Sequence, residues 1–75
     1  MATINYYRVS ANYENGSIIA NYADSKRSAN KMAKQYMDTY SYVTNVTITA
    51  HERSDKAIFV ETRYRDSSLN TKVYF

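Results

Sequence analysis

Between positions 24 and 40 the apolar side chains Ala29, Met32, Ala33, Tyr36, Met37 and Tyr40 recur at offsets of 0, 3, 4, 7, 8 and 11. That spacing lays one stripe along an amphipathic helix. Asp24 and Ser25 stand immediately before it, and either side chain can accept from the first free N–H groups of the helix. No other stretch of the chain has a helical period. A lone helix must bury its stripe on a layer of strands, so the fold class is constrained before any strand is assigned.

Residues 4–13 alternate, with Tyr7, Val9, Ala11 and Tyr13 on one face and Arg8, Ser10 and Asn12 on the other. The following Tyr13-Glu14-Asn15-Gly16-Ser17 carries Asn-Gly, the strongest short hairpin signal, because both central residues of a type I′ turn need φ > 0. With Asn15-Gly16 as the loop, Tyr13 faces Ile18, Ala11 faces Ala20 and Val9 faces Tyr22. After the helix, residues 43–53 place Val46, Ile48 and Ala50 on one face. A turn at Ser54-Asp55-Lys56 leads to residues 57–65, with Ile58, Val60, Thr62 and Tyr64 facing the core and Phe59, Glu61 and Arg63 facing away. Asp66-Ser67 makes the last turn before residues 69–75, pairing Val60 with Val73, Glu61 with Lys72 and Phe59 with Tyr74.

These elements predict an α+β domain of order ββαβββ: one antiparallel five-stranded sheet with a single amphipathic helix packed on one face. Strand orders 2-1-3-4-5 and 2-1-5-4-3 satisfy the pattern equally. The expected core under the helix is Tyr7, Val9, Ala11, Tyr13, Ile18, Ala20, Tyr22, Val46, Ile48, Ala50, Ile58, Val60, Tyr64, Leu69, Val73 and Phe75. The opposite face would carry Ile4, Tyr6, Arg8, Ile19, Thr47, Thr49, His51, Phe59, Glu61, Arg63, Lys72 and Tyr74.

Seventy-five residues suit a single domain spanning 1–75. The absence of cysteine removes disulfides and thiolate metal sites, and a lone histidine leaves an imidazole site short of ligands, so no cofactor is expected. The first residues show neither a basic leader region nor a long apolar run, which points to the cytoplasm and away from membranes. No nucleophile elbow and no Gly-rich phosphate loop is present, and the carboxylates are scattered through turns. The expectation is a non-enzyme.

The formal charge of +3 resides on the helix: residues 25–40 hold Lys26, Arg27, Lys31 and Lys34 against Asp38, and the remainder balances. These cations lie toward the helix N-terminus, where the macrodipole disfavours them. They form one candidate binding face. The open sheet face forms a second, with Tyr6, Phe59 and Tyr74 for stacking and Arg8, Arg63 and Lys72 for anions.

In size, in the hairpin Tyr13-Glu14-Asn15-Gly16-Ser17 and in the basic segment 26–34, the chain resembles small phage-encoded inhibitors of the anti-CRISPR and anti-restriction type. The resemblance implies a binding module that blocks or modulates a host protein or nucleoprotein complex. Two other partners fit the same residues. One is nucleic acid, bound by the Tyr/Arg face or the basic helix; the other is a second copy, in a homodimer that packs two open sheet faces together.

Overall fold

The computed structural model describes residues 4–75, with the backbone alone at positions 17 and 18. Its elements are β1 (Ile4–Tyr13), β2 (Gly16–Ala23), α1 (Lys26–Thr39), β3 (Asn45–Glu52), β4 (Ala57–Tyr64) and β5 (Thr71–Tyr74), with a 3₁₀ turn at Ser67–Leu69 before β5. The five strands form one antiparallel sheet in the order β2-β1-β3-β4-β5. The crossover through α1 therefore carries the chain over β1, which selects the first of the two orders the pattern allowed.

Ser25 caps α1, its Oγ accepting from Ser28 N at 3.2 Å. At the other end the last carbonyls are met by a distant side chain. The Arg65 guanidinium donates from Nη2 to Met37 O (2.8 Å) and Tyr40 O (2.6 Å), and from Nε to Val43 O (2.7 Å). A cation at this end complements the macrodipole and satisfies carbonyls that no helical N–H can reach.

The core is built from small and β-branched residues: Tyr7, Val9, Ala11, Ala23, Ala29, Ala33, Val43, Val46, Ile48 and Ala50. Ala29 and Ala33 let α1 lie close over β1 and β3, while Met32, Tyr36, Met37 and Tyr40 fill its margins.

Both long hairpins differ from the expected register by one residue, for the same reason. In the first, the loop is Glu14-Asn15 instead of Asn15-Gly16. Tyr13 pairs with Gly16 and Asn12 with Ser17; a bulge at position 18 then brings Ile19 opposite Ala11, Asn21 opposite Val9 and Ala23 opposite Tyr7. Ala20 and Tyr22, expected in the core, are exposed, and Ala23 is buried instead. The Ile18 side chain lies outside the described residues. In the second hairpin Asp55 sits at φ 66°, closing a turn in which Asp55 N bonds Glu52 O (2.9 Å) and Glu52 N bonds Lys56 O (3.0 Å). His51 pairs with Ala57 and, past a bulge at Ile58, Ala50 pairs with Phe59, Ile48 with Glu61 and Val46 with Arg63.

A one-residue shift exchanges the two faces of a strand. Phe59, Glu61 and Arg63 consequently face the helix side, and Val60, Thr62 and Tyr64 face away. The β4–β5 pairs Val60/Val73, Glu61/Lys72 and Phe59/Tyr74 form as expected, but they are carried over to the reversed faces with β4. Ile58, Val60, Tyr64, Leu69, Val73 and Phe75 are thus half-buried or exposed instead of core, and Tyr13 is half-buried. Ile4 and Ile19 also leave the open face: Ile4 packs on the core, and Ile19 stands opposite the buried Ala11.

Gly16 has φ +137°, and a Cβ there would meet nothing within 4 Å. Gly16→Val therefore strains the backbone alone and should cost on the order of 1 kcal/mol or more in urea denaturation. Arg65→Ala should lower stability by about 1–2 kcal/mol and speed amide exchange in the last turn of α1, since it removes the Arg65 bonds to the Met37 and Val43 carbonyls and leaves Tyr40 O only the Val43 N–H at 3.2 Å.

Candidate cationic flank between the helix and the last two strands

Because α1 is seated over β1 and β3, the helix side of β4 is only partly covered, by side chains from the margin of α1, and β5 beside it is exposed. Six of the ten candidate binding residues meet on this flank: Lys26 and Lys34 from the helix, Phe59 and Arg63 from β4, and Lys72 and Tyr74 from β5. The sequence had assigned the first pair and the last four to different surfaces. Tyr6 and Arg8 stay on the opposite face of the sheet. Arg27 and Lys31 are exposed on the outer ridge of α1.

Glu61 is the hub of the flank. It is 8% exposed, and three cations converge on it. Lys26 Nζ donates to Oε1 at 2.7 Å, Arg63 Nε donates to Oε2, and Lys72 Nζ lies 3.5 Å from Oε1. Arg63 Nη2 reaches back to Asn30 Oδ1 on the helix at 2.5 Å. Below this cluster the Phe59 ring receives Lys26 Nζ at 5.2 Å and Lys72 Nζ at 5.7 Å from its centroid, and Tyr74 packs on Phe59 at 5.6 Å. Lys26 at the first position of α1 opposes the macrodipole, and Glu61 compensates it from the neighbouring strand.

Burial pushes the Glu61 carboxyl up, but the hydrogen bonds and charges of Lys26 and Arg63 outweigh it and bring its pKa from 4.5 to about 2. Glu61 is therefore a fixed anion at neutral pH and no proton donor. Its work is to hold cations in place. Next to it, Lys34, Arg63, Arg65 and Asn70, with Asp38 and Met37, line an open cleft of about 340 Å³. Tyr74 and Phe75, 68% and 72% exposed, stand at the outer edge.

The opposite face is occupied with itself. Ser10 Oγ donates to Asn12 Oδ1 (3.2 Å), and Asn12 Nδ2 donates to Asn45 Oδ1 (2.7 Å) and Thr47 Oγ1 (2.8 Å). Tyr6 stacks on His51 at 4.8 Å and donates its hydroxyl to Asp55 Oδ1 at 2.8 Å, a bond that raises the phenol pKa. His51 Nδ1 lies 3.0 Å from Asp55 O, which makes it the donor. Glu61, expected on the side of His51, is on the other face of the sheet.

Sequence reasoning grouped Glu61 with Arg63 and Lys72 but missed its contact with Lys26, and it missed Asn30 and Arg65 as members of this region. One signal for the Lys26–Glu61 pair was available: a lysine at the head of a helix, against the dipole, asks for a nearby acid.

Among the described residues no group of three or more His, Cys, Asp or Glu could hold a metal ion, and no helix is long and apolar enough to cross a membrane. No family model, curated protein or solved structure matches the chain.

A carboxylate whose pKa is depressed on folding stabilises the fold above its unfolded pKa and loses that contribution as pH falls through the folded one. The Glu61 contribution, on the order of 2 kcal/mol after allowing for the solvent exposure of its partners, is thus complete above about pH 5 and lost toward pH 2. Thermal melts of the wild type and Glu61→Gln across that range should converge at the acid end and diverge toward neutrality.

Proposed function

We propose that the protein is a non-catalytic binding module of the cytoplasm. It acts as a small phage or mobile-element inhibitor does, seating its cationic flank on an acidic surface of a host macromolecular complex. The observation that carries this is the convergence of Lys26, Arg63 and Lys72 on the single carboxylate of Glu61, with Lys34 beside them. With Arg65 and Asp38 of the same cleft included, five cations stand against two anions there, so a positive excess persists after the internal pairing. Glu61 and Asn30 fix the positions of the paired cations, which lowers the ordering cost of meeting a partner with fixed geometry, such as a folded protein. Complementary charge would also steer the encounter.

Nucleic acid is the second reading, favoured by one feature. Tyr74 is exposed with Lys72 Nζ 6.0 Å from its ring centroid, a pairing suited to stacking a base beside its phosphate.

Both readings are tested with a labelled polyglutamate peptide and a labelled oligothymidylate, measured by anisotropy at low and high salt. Lys34→Glu combined with Lys72→Glu should weaken binding about tenfold or more, whereas Arg27→Glu combined with Lys31→Glu on the outer ridge should weaken it less. Preference for polyglutamate supports the protein-surface reading. Preference for the oligonucleotide, with a further loss in Tyr74→Ala, transfers the function to nucleic acid. Equal loss from both double variants would mean that net charge alone is at work and the flank is no site.

A further inference from the structure

The cleft of about 340 Å³ beside the flank lies between the second half of α1 and residues 63–70, and the fold does not use up the donors that line it. Arg65 commits Nε and Nη2 to the carbonyls of Val43, Met37 and Tyr40. Arg63 commits Nε to Glu61 and Nη2 to Asn30. Each guanidinium is thus held by two of its nitrogens, and among the described residues neither Nη1 has a hydrogen-bond partner. Asn70 accepts the Tyr64 N–H at Oδ1 (2.7 Å), which leaves its NH₂ group as a further donor. Lys34 Nζ enters no hydrogen bond or ion pair among the described residues. Positive charge is left over as well. Arg65 and Lys34 meet no carboxylate there, and Glu61 divides one negative charge among Arg63, Lys26 and Lys72. Among the described residues Asp38 is the one acid that lines the cleft.

We infer that this cleft binds the phosphoryl group of a small phosphate monoester. The donor set and the charge select that group. A phosphate monoester is nearly a dianion at neutral pH and offers three strong acceptor oxygens, where a carboxylate has one charge and two oxygens. Two guanidinium Nη1 groups, an ammonium and an amide NH₂ supply more N–H bonds than a carboxylate can accept. Three cations against Asp38 leave two positive charges, which match the dianion. The guanidinium fork suits phosphate geometry, and guanidiniums already held by the protein lose little freedom on engaging it. Ala33 and Met37 give the cleft an apolar wall for the carbon body of the ester. Its volume lies at the small end of ligand sites, which run from roughly 300 to 1,000 Å³. The cleft shares Lys34 and Arg63 with the cationic flank, but it stands without the docking proposed there, because Lys72 and Tyr74 lie outside it.

The test titrates the full chain with phenyl phosphate at about pH 7.5, above the second phosphate pKa of about 6, and follows backbone and side-chain N–H signals by NMR. Benzoate serves as the carboxylate counterpart. Phenyl phosphate should saturate a single site with shifts gathered at Lys34, Arg63, Arg65 and Asn70, and benzoate should bind at least about fivefold more weakly. Asn70→Asp keeps an acceptor for the Tyr64 N–H and exchanges the donor for a negative charge. It should weaken phenyl phosphate about tenfold or more, whereas Asp38→Asn, which removes the opposing charge, should tighten it about threefold. Lys72→Ala should leave phenyl phosphate binding unchanged while weakening polyglutamate, so the cleft and the flank fail separately. Shifts that spread to Arg27 and Lys31 without saturation overturn the inference. So does benzoate binding as tightly as phenyl phosphate, or an Asn70→Asp variant that binds like the wild type. If Asn70→Asp lowers the melting temperature, the exposed Asp38 decides alone, and no gain in Asp38→Asn overturns the inference.

Discussion

The closeness of α1 to the sheet governs most of what this small domain can present. Ala29 and Ala33 are fully buried, and with no side chain beyond Cβ they bring the helix down onto Val9, Ala11 and Ile48. A helix is about 10 Å wide and neighbouring strands are about 4.8 Å apart, so one helix shelters two or three strands of five. With its axis over β1 and β3, the shortfall falls on β4 and β5. A partly covered flank beside the helix is therefore a consequence of the element count, and the side chains there must tolerate water.

That consequence explains which parts of the structure were legible in the sequence. The helix was, because its stripe meets a complete partner; Met32, Tyr36 and Met37 pack where the period puts them. So was β1, whose alternation is read against a fully covered sheet centre, and so were the cross-strand pairs Glu61/Lys72 and Phe59/Tyr74. The registers of the two long hairpins were not. Each combines a turn placed one residue early with a one-residue bulge, and no bulge is visible in an alternation that tolerates either phase. Asn15-Gly16 drew the first turn forward by its composition, although Gly16 takes up its positive φ as the residue after the loop. Asp55 does the corresponding work in the second turn with a side chain that tolerates the left-handed region.

The site followed the registers. The candidate residues were identified as types, but a shift of one in β4 moved four of them, Phe59, Arg63, Lys72 and Tyr74, through the sheet to the helix side, where they joined Lys26 and Lys34. Tyr6 and Arg8, on a strand whose phase was read correctly, stayed on the open face. Arg65 was invisible for a different reason: it acts on carbonyls of Met37, Tyr40 and Val43, and a backbone acceptor leaves no mark in a sequence.

The choice between the two phases of β4 can be argued physically. Hydrophobic burial alone favours the phase that turns Ile58, Val60 and Tyr64 inward, by roughly 25 cal/mol for each Å² removed from water. That gain requires something to cover them, and α1 covers β4 only in part. In the phase adopted, the inward residues are an aromatic ring flanked by cations and a carboxylate with three basic partners, groups that gain from partial shelter and lose little to partial exposure. A lone buried ion pair often contributes little net stability against an apolar replacement, and its best-attested use is to fix register. Glu61 meets the conditions for that use. In the other phase it would leave Lys26 at the head of α1 without a counter-charge and strip Arg63 of its bond to Asn30. Reversing β4 would therefore trade a modest apolar gain on a half-covered strand for cations left unpaired beside a helix N-terminus.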